Sequence, residues 1–305
     1  MKTRSLYVGL LFCSTLLVGI LWSALVQRGY AADAFKAKVL VVAGPCQHPP
    51  GTHEAIAGAR LLTHCVAHAE NVGPISALLL EAWPKDGSVL ENTATIVFIG
   101  DIFPPERMDE RDKIMAQLTK LMDQGCGIVC IHYATGLRGE HVAEDGDHPL
   151  LHWMGGYFAT GGCKHHRSVA RVCPATLVPE DNDHPILQGW KKFAFDDEPY
   201  WNNYFGKDGM APNVTSLVYA MLPPTEPKKE TIGWAIQRED GGRGVGLVVP
   251  HFFRNWRIDD LRTLVMNSIV WTAKLDVPAE GVKSSLPDLA TFKPDSVDPQ
   301  PRRKR

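Results

Sequence analysis

Gly127-Ile128-Val129-Cys130-Ile131-His132-Tyr133-Ala134-Thr135-Gly136 is the stretch whose reading decides the fold. Apolar residues from Ile128 to Ile131 lie between a glycine and a histidine, and a short turn closed by Gly136 follows. So short a run, apolar on both faces, reads as a central strand of a parallel sheet. In doubly wound α/β folds, ligands bind outside the carboxyl ends of such strands, and His132 stands at that end. Taken alone, this histidine reads as a hydrogen-bonded strand cap. The chain holds 12 histidines, however, and several fall where neighbouring strands are expected to end.

Side chains alternate along a strand, so Ile128, Cys130 and His132 are expected on one face, with Val129 and Ile131 on the other. Cys130 then lies inside the sheet, where a thiol behaves as a small buried hydrophobe. A nucleophilic cysteine needs an exposed, electropositive setting, which argues against that role here. Beyond Cys13, six cysteines remain: Cys46, Cys65, Cys126, Cys130, Cys163 and Cys173. Cys126 and Cys130 cannot pair within one extended strand, because four residues span about 13 Å there. Cys163 and Cys173 flank a candidate strand and are the best-placed pair. No CxxC spacing exists, which disfavours a cysteine zinc site.

Working outward, Lys38 to Ala43 reads as a buried strand that enters the loop Gly44-Pro45-Cys46-Gln47-His48-Pro49-Pro50-Gly51. A helix is expected from about Thr52, its N-cap, with Ile56, Ala59, Leu62 and Val66 at helical spacing. Strands follow at Ile75 to Leu80 and Thr95 to Gly100. Pro104-Pro105 then opens a helix bearing Ile114, Leu118, Leu121 and Met122, and Gly125 ends it. This order predicts a parallel sheet covered on both sides. Thr231 to Ile236 and Val245 to Pro250 read as a strand pair, and a closing helix runs from about Ile258 to Lys274. From Asp276, Pro, Ser and Asp dominate, so residues 276–305 are expected to be a poorly ordered tail after a domain spanning 35–275.

At 305 residues and 45% hydrophobic content, the chain can bury a full core. A formal charge of −2 gives no basic footprint for nucleic acid. The cluster Arg302-Arg303-Lys304-Arg305 reads as a solvated tail. Lys2 and Arg4 precede an apolar run from Leu6 to Val26, and Ala32-Asp33-Ala34 offers a cleavage site. Residues 1–34 therefore read as a signal peptide, and the expected location is periplasmic or extracellular. If uncleaved, the segment is long enough to anchor the protein in a membrane. A homo-oligomer is left open.

Polar groups gather at the expected strand ends. His48 and His53, with Glu54, straddle the first loop, where imidazoles bind a divalent metal or act near neutral pH. Trp153 lies among Asp147, His148, His152 and the pair His165-His166, and reads as core or as a platform for a sugar ring. Phe193 to Asp197 would be a strand, leaving Glu198 at its end beside Tyr200 and Trp201. A carboxylate there can serve as general base or metal ligand. Val245 to Pro250 delivers His251 to another strand end.

The ordered series resembles the ThuA-like (trehalose utilisation) family. It comprises Gly44…His48-Pro-Pro-Gly-Thr-His53-Glu54, Cys130-Ile-His132-Tyr-Ala134, Trp153-Met-Gly155-Gly156-Tyr-Phe158, Asp183-His184-Pro185-Ile…Gly189, Asp197-Glu198-Pro-Tyr200, Trp234, Gly242-Arg243-Gly244 and His251. It covers about Lys38 to Lys274. The resemblance implies a three-layer αβα, flavodoxin-like, class I glutamine amidotransferase-like fold with a mostly parallel sheet. Relatives of that fold place a nucleophilic cysteine where this chain has His132, which argues against glutaminase chemistry. The resemblance also implies a link to oxidised (3-keto) sugars. Val249-Pro250 stands where the family usually has glycine before the histidine.

The leading expectation is an exported carbohydrate-processing enzyme, of isomerase, lyase or hydrolase type, acting on a small-molecule sugar. In it His132, Glu198 and His251 are catalytic. His53, Trp153 and Tyr200 contact substrate, and His48, His132 and His251 hold a divalent metal such as zinc. The rival is a non-catalytic carbohydrate-binding protein whose Trp153, Tyr200 and Trp201 stack on sugar. A cysteine hydrolase using Cys130 or Cys46 is the third reading.

Overall fold

The computed structural model describes residues 35–300. The N-terminal segment read as a signal peptide and the terminal basic cluster lie outside the described residues. Among the described residues, no helix is long and apolar enough to cross a membrane.

Nine strands build one sheet: β1 (Ala37–Ala43), β2 (Ile75–Leu80), β3 (Thr95–Ile99), β4 (Gly127–Ile131), β5 (Cys173–Pro179), β6 (Phe193–Asp197), β7 (Val214–Leu222), β8 (Lys228–Gln237) and β9 (Arg243–Leu247). Their order is β2-β1-β3-β4-β9-β8-β7-β5-β6. From β2 to β9 every pairing is parallel. The order 2-1-3-4-then-β9 is that of flavodoxin-like folds, with a switch point between β1 and β3. Beyond β9 the sheet continues antiparallel through β8, β7, β5 and β6. The parallel sheet read from the sequence is therefore present, and an antiparallel wing extends it.

Central position explains composition. β1, β3 and β4 carry Val, Ile, Leu and Phe on both faces, and every residue of β3 and β4 is buried. Each such side chain contributes about 1.5–3 kcal/mol by leaving water. Helix α1 (Ala55–Ala67) packs on β1, β2 and β3, while α2 (Arg111–Asp123) leads into β4. Helix α3 (Pro149–Met154) covers β4, β8 and β9, and α4 (Asp259–Thr272) packs on β3, β4 and β9. A side chain at Gly127 would strike Thr272 of α4, whereas one at Gly244 would strike Trp153 and Met154 of α3. Gly244 aligns with Ile128, one step from Gly127, so α3 and α4 lie on opposite sheet faces.

Local differences have physical causes. Helix α1 starts at Ala55 because Thr52 bonds the Pro49 carbonyl and bridges Phe252, so Thr52 is not the N-cap. Pro104–Arg107 forms a 3₁₀ turn, and α2 begins only at Arg111. Gly125, at φ 77°, closes α2 as expected. Cys163 and Cys173 are not paired; the six described cysteines are free. The Cys163 thiol turns to the Leu137 carbonyl, and Cys173 stands in β5 opposite Asp197.

Residues 276–300 are not a disordered tail. Val282, Leu289 and Phe292 are buried, and Leu289–Phe292 forms a 3₁₀ turn. Few in number, these apolar residues are spaced widely enough to escape a periodicity search, yet each finds a site on the domain.

Candidate functional site

His132 follows β4 directly and opens a 3₁₀ turn, His132–Thr135, with φ 51°. Alternation is a property of extended backbone and ends at Ile131, so parity with Cys130 does not extend to the imidazole. A left-handed conformation costs a non-glycine residue about 1–3 kcal/mol and persists only where the surroundings fix it. Here the His132 Nδ1–H donates to the Val248 carbonyl at 3.0 Å, and Thr135 Oγ1 bonds the His132 carbonyl.

Two other loops reach the same point. The β1 loop brings His53, whose N–H donates to the His251 carbonyl at 2.7 Å. Thr52 bridges Phe252, and the Phe253 N–H bonds the Gly51 carbonyl, so the loops around His53 and His251 are zipped together. Asp197, at the end of β6, accepts from the His251 N–H at 2.7 Å, the Glu198 N–H at 2.6 Å and Asn255 Nδ2 at 2.6 Å. Burial raises the Asp197 carboxyl to about 7 against these donors.

The result is a compact cluster. His132 Nε2 lies 3.1 Å from His53 Nε2, 3.1 Å from His251 Nδ1 and 2.9 Å from the Tyr200 hydroxyl. Glu198 Oε2 is 3.4 Å from His251 Nδ1. One ligand atom from each of His53, His132, Glu198 and His251 lies within 4.8 Å of the others, so this set could hold a metal ion. Burial and the neighbouring His53 and His251 push the His132 pKa well below its ordinary value. Burial likewise lowers His53, against the pull of Asp101. Neutral imidazoles are the form that ligates a metal.

Asp101 follows β3 across Gly100 and orients this cluster. One of its oxygens accepts from His53 Nδ1 in a short hydrogen bond, and His48 Nδ1 lies 2.9 Å from both. Burial opposes the Asp101 charge, but the two histidines outweigh it and hold the carboxyl well below the usual range. Partial burial opposes protonation of His48, yet Asp101 and Cys46 prevail and raise it to about 9. His48 stacks on His53 with ring centroids 3.5 Å apart. It belongs to a second group that could hold a metal, with Cys46, His53 and Asp101, and does not join His132 and His251.

The remaining sequence-assigned residues divide. His53, read as a substrate contact, sits inside the cluster. Tyr200 meets His132 but is 2% exposed and stacked on both His132 and Phe158, so no ring face is open to a sugar. Trp153 lies on α3 and lines a separate cavity with Tyr204, Phe205 and Ile236. His165 turns to the Tyr157 hydroxyl and His166 to the Asn202 carbonyl. Cys130 is fully buried, and burial drives its thiol pKa well up. Asp101 escaped the sequence reading although it sits just past a clearly marked strand; the rule that singled out His132 would have found it.

Two cavities adjoin the cluster. His48, Thr52, Glu198, His251 and Phe252 line one of about 440 Å³. His48, Thr52, Arg60, Trp83, Arg107 and Lys113 are among those lining another of about 760 Å³ at the β1–β3 switch point.

The family model for trehalose utilisation (ThuA) matches residues 38–272. A ThuA-like protein from Bacteroides uniformis superposes with a TM-score of 0.55 at 16% identity, covering 80% of this chain and 95% of that one. Another from Parabacteroides merdae gives 0.50 at 15% identity, covering 83% and 93%. These likenesses agree with the αβα fold described above. No curated protein matches the chain.

Proposed function

This chain belongs to the trehalose-utilisation family, and from that premise we propose that it processes carbohydrates by metal-assisted chemistry at His53, His132, His251 and Glu198. The observation that carries this reading is the facing pair His53 Nε2 and His132 Nε2. Each ring uses its other nitrogen as a donor, His53 to Asp101 and His132 to the Val248 carbonyl. Neutral rings so arranged turn lone pairs toward each other at 3.1 Å, an arrangement that a shared cation stabilises. Asp101 behind His53 supplies the carboxylate–histidine support typical of metal ligands.

A divalent ion held there would polarise the carbonyl of a keto-sugar and acidify the adjacent C–H. Glu198, half-buried at the rim of the smaller cavity, would take that proton. His48, protonated at neutral pH by virtue of Asp101, would present a positive charge beside the same opening. The overall outcome would be isomerisation or elimination. Export, read from the N-terminal segment, is part of the proposal.

Pure carbohydrate binding has less support, since Trp153 lines another cavity and the ring of Tyr200 is covered. Metal analysis of purified protein and of His132→Ala, with assays on keto-sugars, decides the matter. Absence of bound metal together with unimpaired turnover in the variant would sink the proposal.

A further inference from the structure

The family match ends at residue 272, yet the chain runs on and returns to the candidate site. After Val282 it passes the segment that follows α1, where the Glu70 N–H donates to the Lys283 carbonyl and Ala69 bridges Ser284. Residues 293–300 then cross beside the loop that carries His53.

Glu54, the residue after His53, grips this segment. Its Oε1 accepts from the Gly51 N–H at 2.7 Å and the Ser296 N–H at 3.1 Å, and its Oε2 accepts from the Asp295 N–H at 2.9 Å. The Gln300 N–H donates to the Pro50 carbonyl at 3.0 Å. Gly51, at φ 84°, lies so close beneath that a Cβ there would stand 2.2 Å from the Asp298 carbonyl oxygen. Lys293 and Asp295 line the larger cavity, and Pro299 and Gln300 line the smaller.

We propose that residues 293–300 form a strap that walls both cavities and fixes the His53 loop, with Glu54 as its positioning residue. His53 and Glu54 both adopt left-handed backbone, with φ 36° and 42°. Such a conformation holds only when neighbours over-determine it. Beside the backbone bonds to the His251 loop, the Glu54 carboxylate adds to that constraint by bonding backbone on both sides, its own loop at Gly51 and the strap at Asp295 and Ser296. Without the strap the loop relaxes and His53 Nε2 loses its fixed place opposite His132 and His251. The ligating consequence rests on the metal-centre reading; the restraint of the loop does not.

The test compares the full chain with Glu54→Gln and with a chain ending at residue 292. Glutamine keeps one acceptor oxygen but faces the Asp295 N–H with its own amide hydrogens. Hydrogen exchange of residues 51–54 is expected to quicken at least about tenfold in both variants, since opening the strap exposes those amides. Unchanged exchange in the truncated chain overturns the proposal. Cobalt(II) titration is expected to show affinity weakened roughly tenfold or more in each. Glu54→Gln introduced into the truncated chain should add less than it does in the full chain, because truncation has already removed the Glu54 bonds to Asp295 and Ser296 and leaves only the one to Gly51; full additivity counts against the strap. A wild-type chain that binds no cobalt would refute the metal centre while leaving the exchange comparison decisive for the strap.

Discussion

His53 Nε2 and His132 Nε2 face one another across 3.1 Å, each on a ring whose other nitrogen is already committed to an oxygen. Two lone pairs at that distance repel unless a proton or a metal ion lies between them. Under the proposed function a shared cation fills that position.

Metal content is the direct consequence. The purified protein is expected to carry one divalent ion per chain, and His53→Ala, His132→Ala and His251→Ala are each expected to lose it. Removing the ion with a chelator should lower stability by about 2.7 kcal/mol when the metal had stood at a hundredfold its Kd. Elemental analysis paired with thermal melts checks both.

Asp101→Asn should keep the fold while weakening the centre. The carboxylate orients His53 and holds its proton on Nδ1. An amide can present its own hydrogens to that nitrogen and favour the wrong tautomer. Metal affinity is expected to fall 10- to 100-fold, roughly the usual effect of losing an outer partner. An unaltered cobalt isotherm would show that Asp101 serves only His48.

Glu198→Gln separates base from ligand. With imidazoles holding the metal, turnover of keto-sugars is expected to fall roughly 10²- to 10⁴-fold while metal is retained. Loss of metal in parallel with turnover would instead make Glu198 a ligand. Steady-state kinetics and cobalt titration on the same preparation give the answer.

Away from the centre, Glu106 predicts a pH effect on stability. Its side chain is buried, with His148 Nε2 at 3.0 Å and an ion pair to Arg111. Burial opposes its charge, but His148 and Arg111 prevail and lower its pKa below the ordinary 4.5. A depressed folded pKa gives stability that is complete above 4.5 and is lost as the pH falls through the folded value. Glu106→Gln should cost roughly 1–3 kcal/mol at pH 7, because it removes the buried carboxylate that His148 Nε2 and Arg111 both bond. Denaturant melts should show that deficit shrinking well below pH 4.5.

Thiol chemistry tests the hydrolase reading. Among the described cysteines, Cys46 is exposed and the other five are buried. Alkylation of the native protein is expected to mark Cys46 and spare Cys130, and Cys130→Ala should retain metal at wild-type stoichiometry. Loss of activity on labelling of Cys130 would restore the cysteine hydrolase.

Much of the parallel half of the fold was legible, because β1, β3 and β4 are continuous apolar runs and α1 and α2 each bury one face. The antiparallel wing was less so. β7 is partly exposed, and its pairing with β8 shifts register around Val218, which blurs a simple alternation. The course of residues 276–300 is not legible in the sequence because its anchors are sparse and much of its attachment is backbone hydrogen bonding to Glu54 and Pro50. Backbone groups leave no trace in composition.

The sequence by itself determined which residues stand at strand ends: His132 after β4, Glu198 after β6, and His251 a few residues beyond β9. It did so because strand length and burial are local properties that hydrophobic runs record directly. Only the tertiary structure decided that His53 rather than His48 joins them, that Asp101 stands behind, and that Trp153 belongs elsewhere. Those choices depend on how loops distant in sequence bond to each other's backbone, as the His53 N–H does to the His251 carbonyl and Asp197 does to the His251 N–H. No periodicity along the chain encodes such pairings.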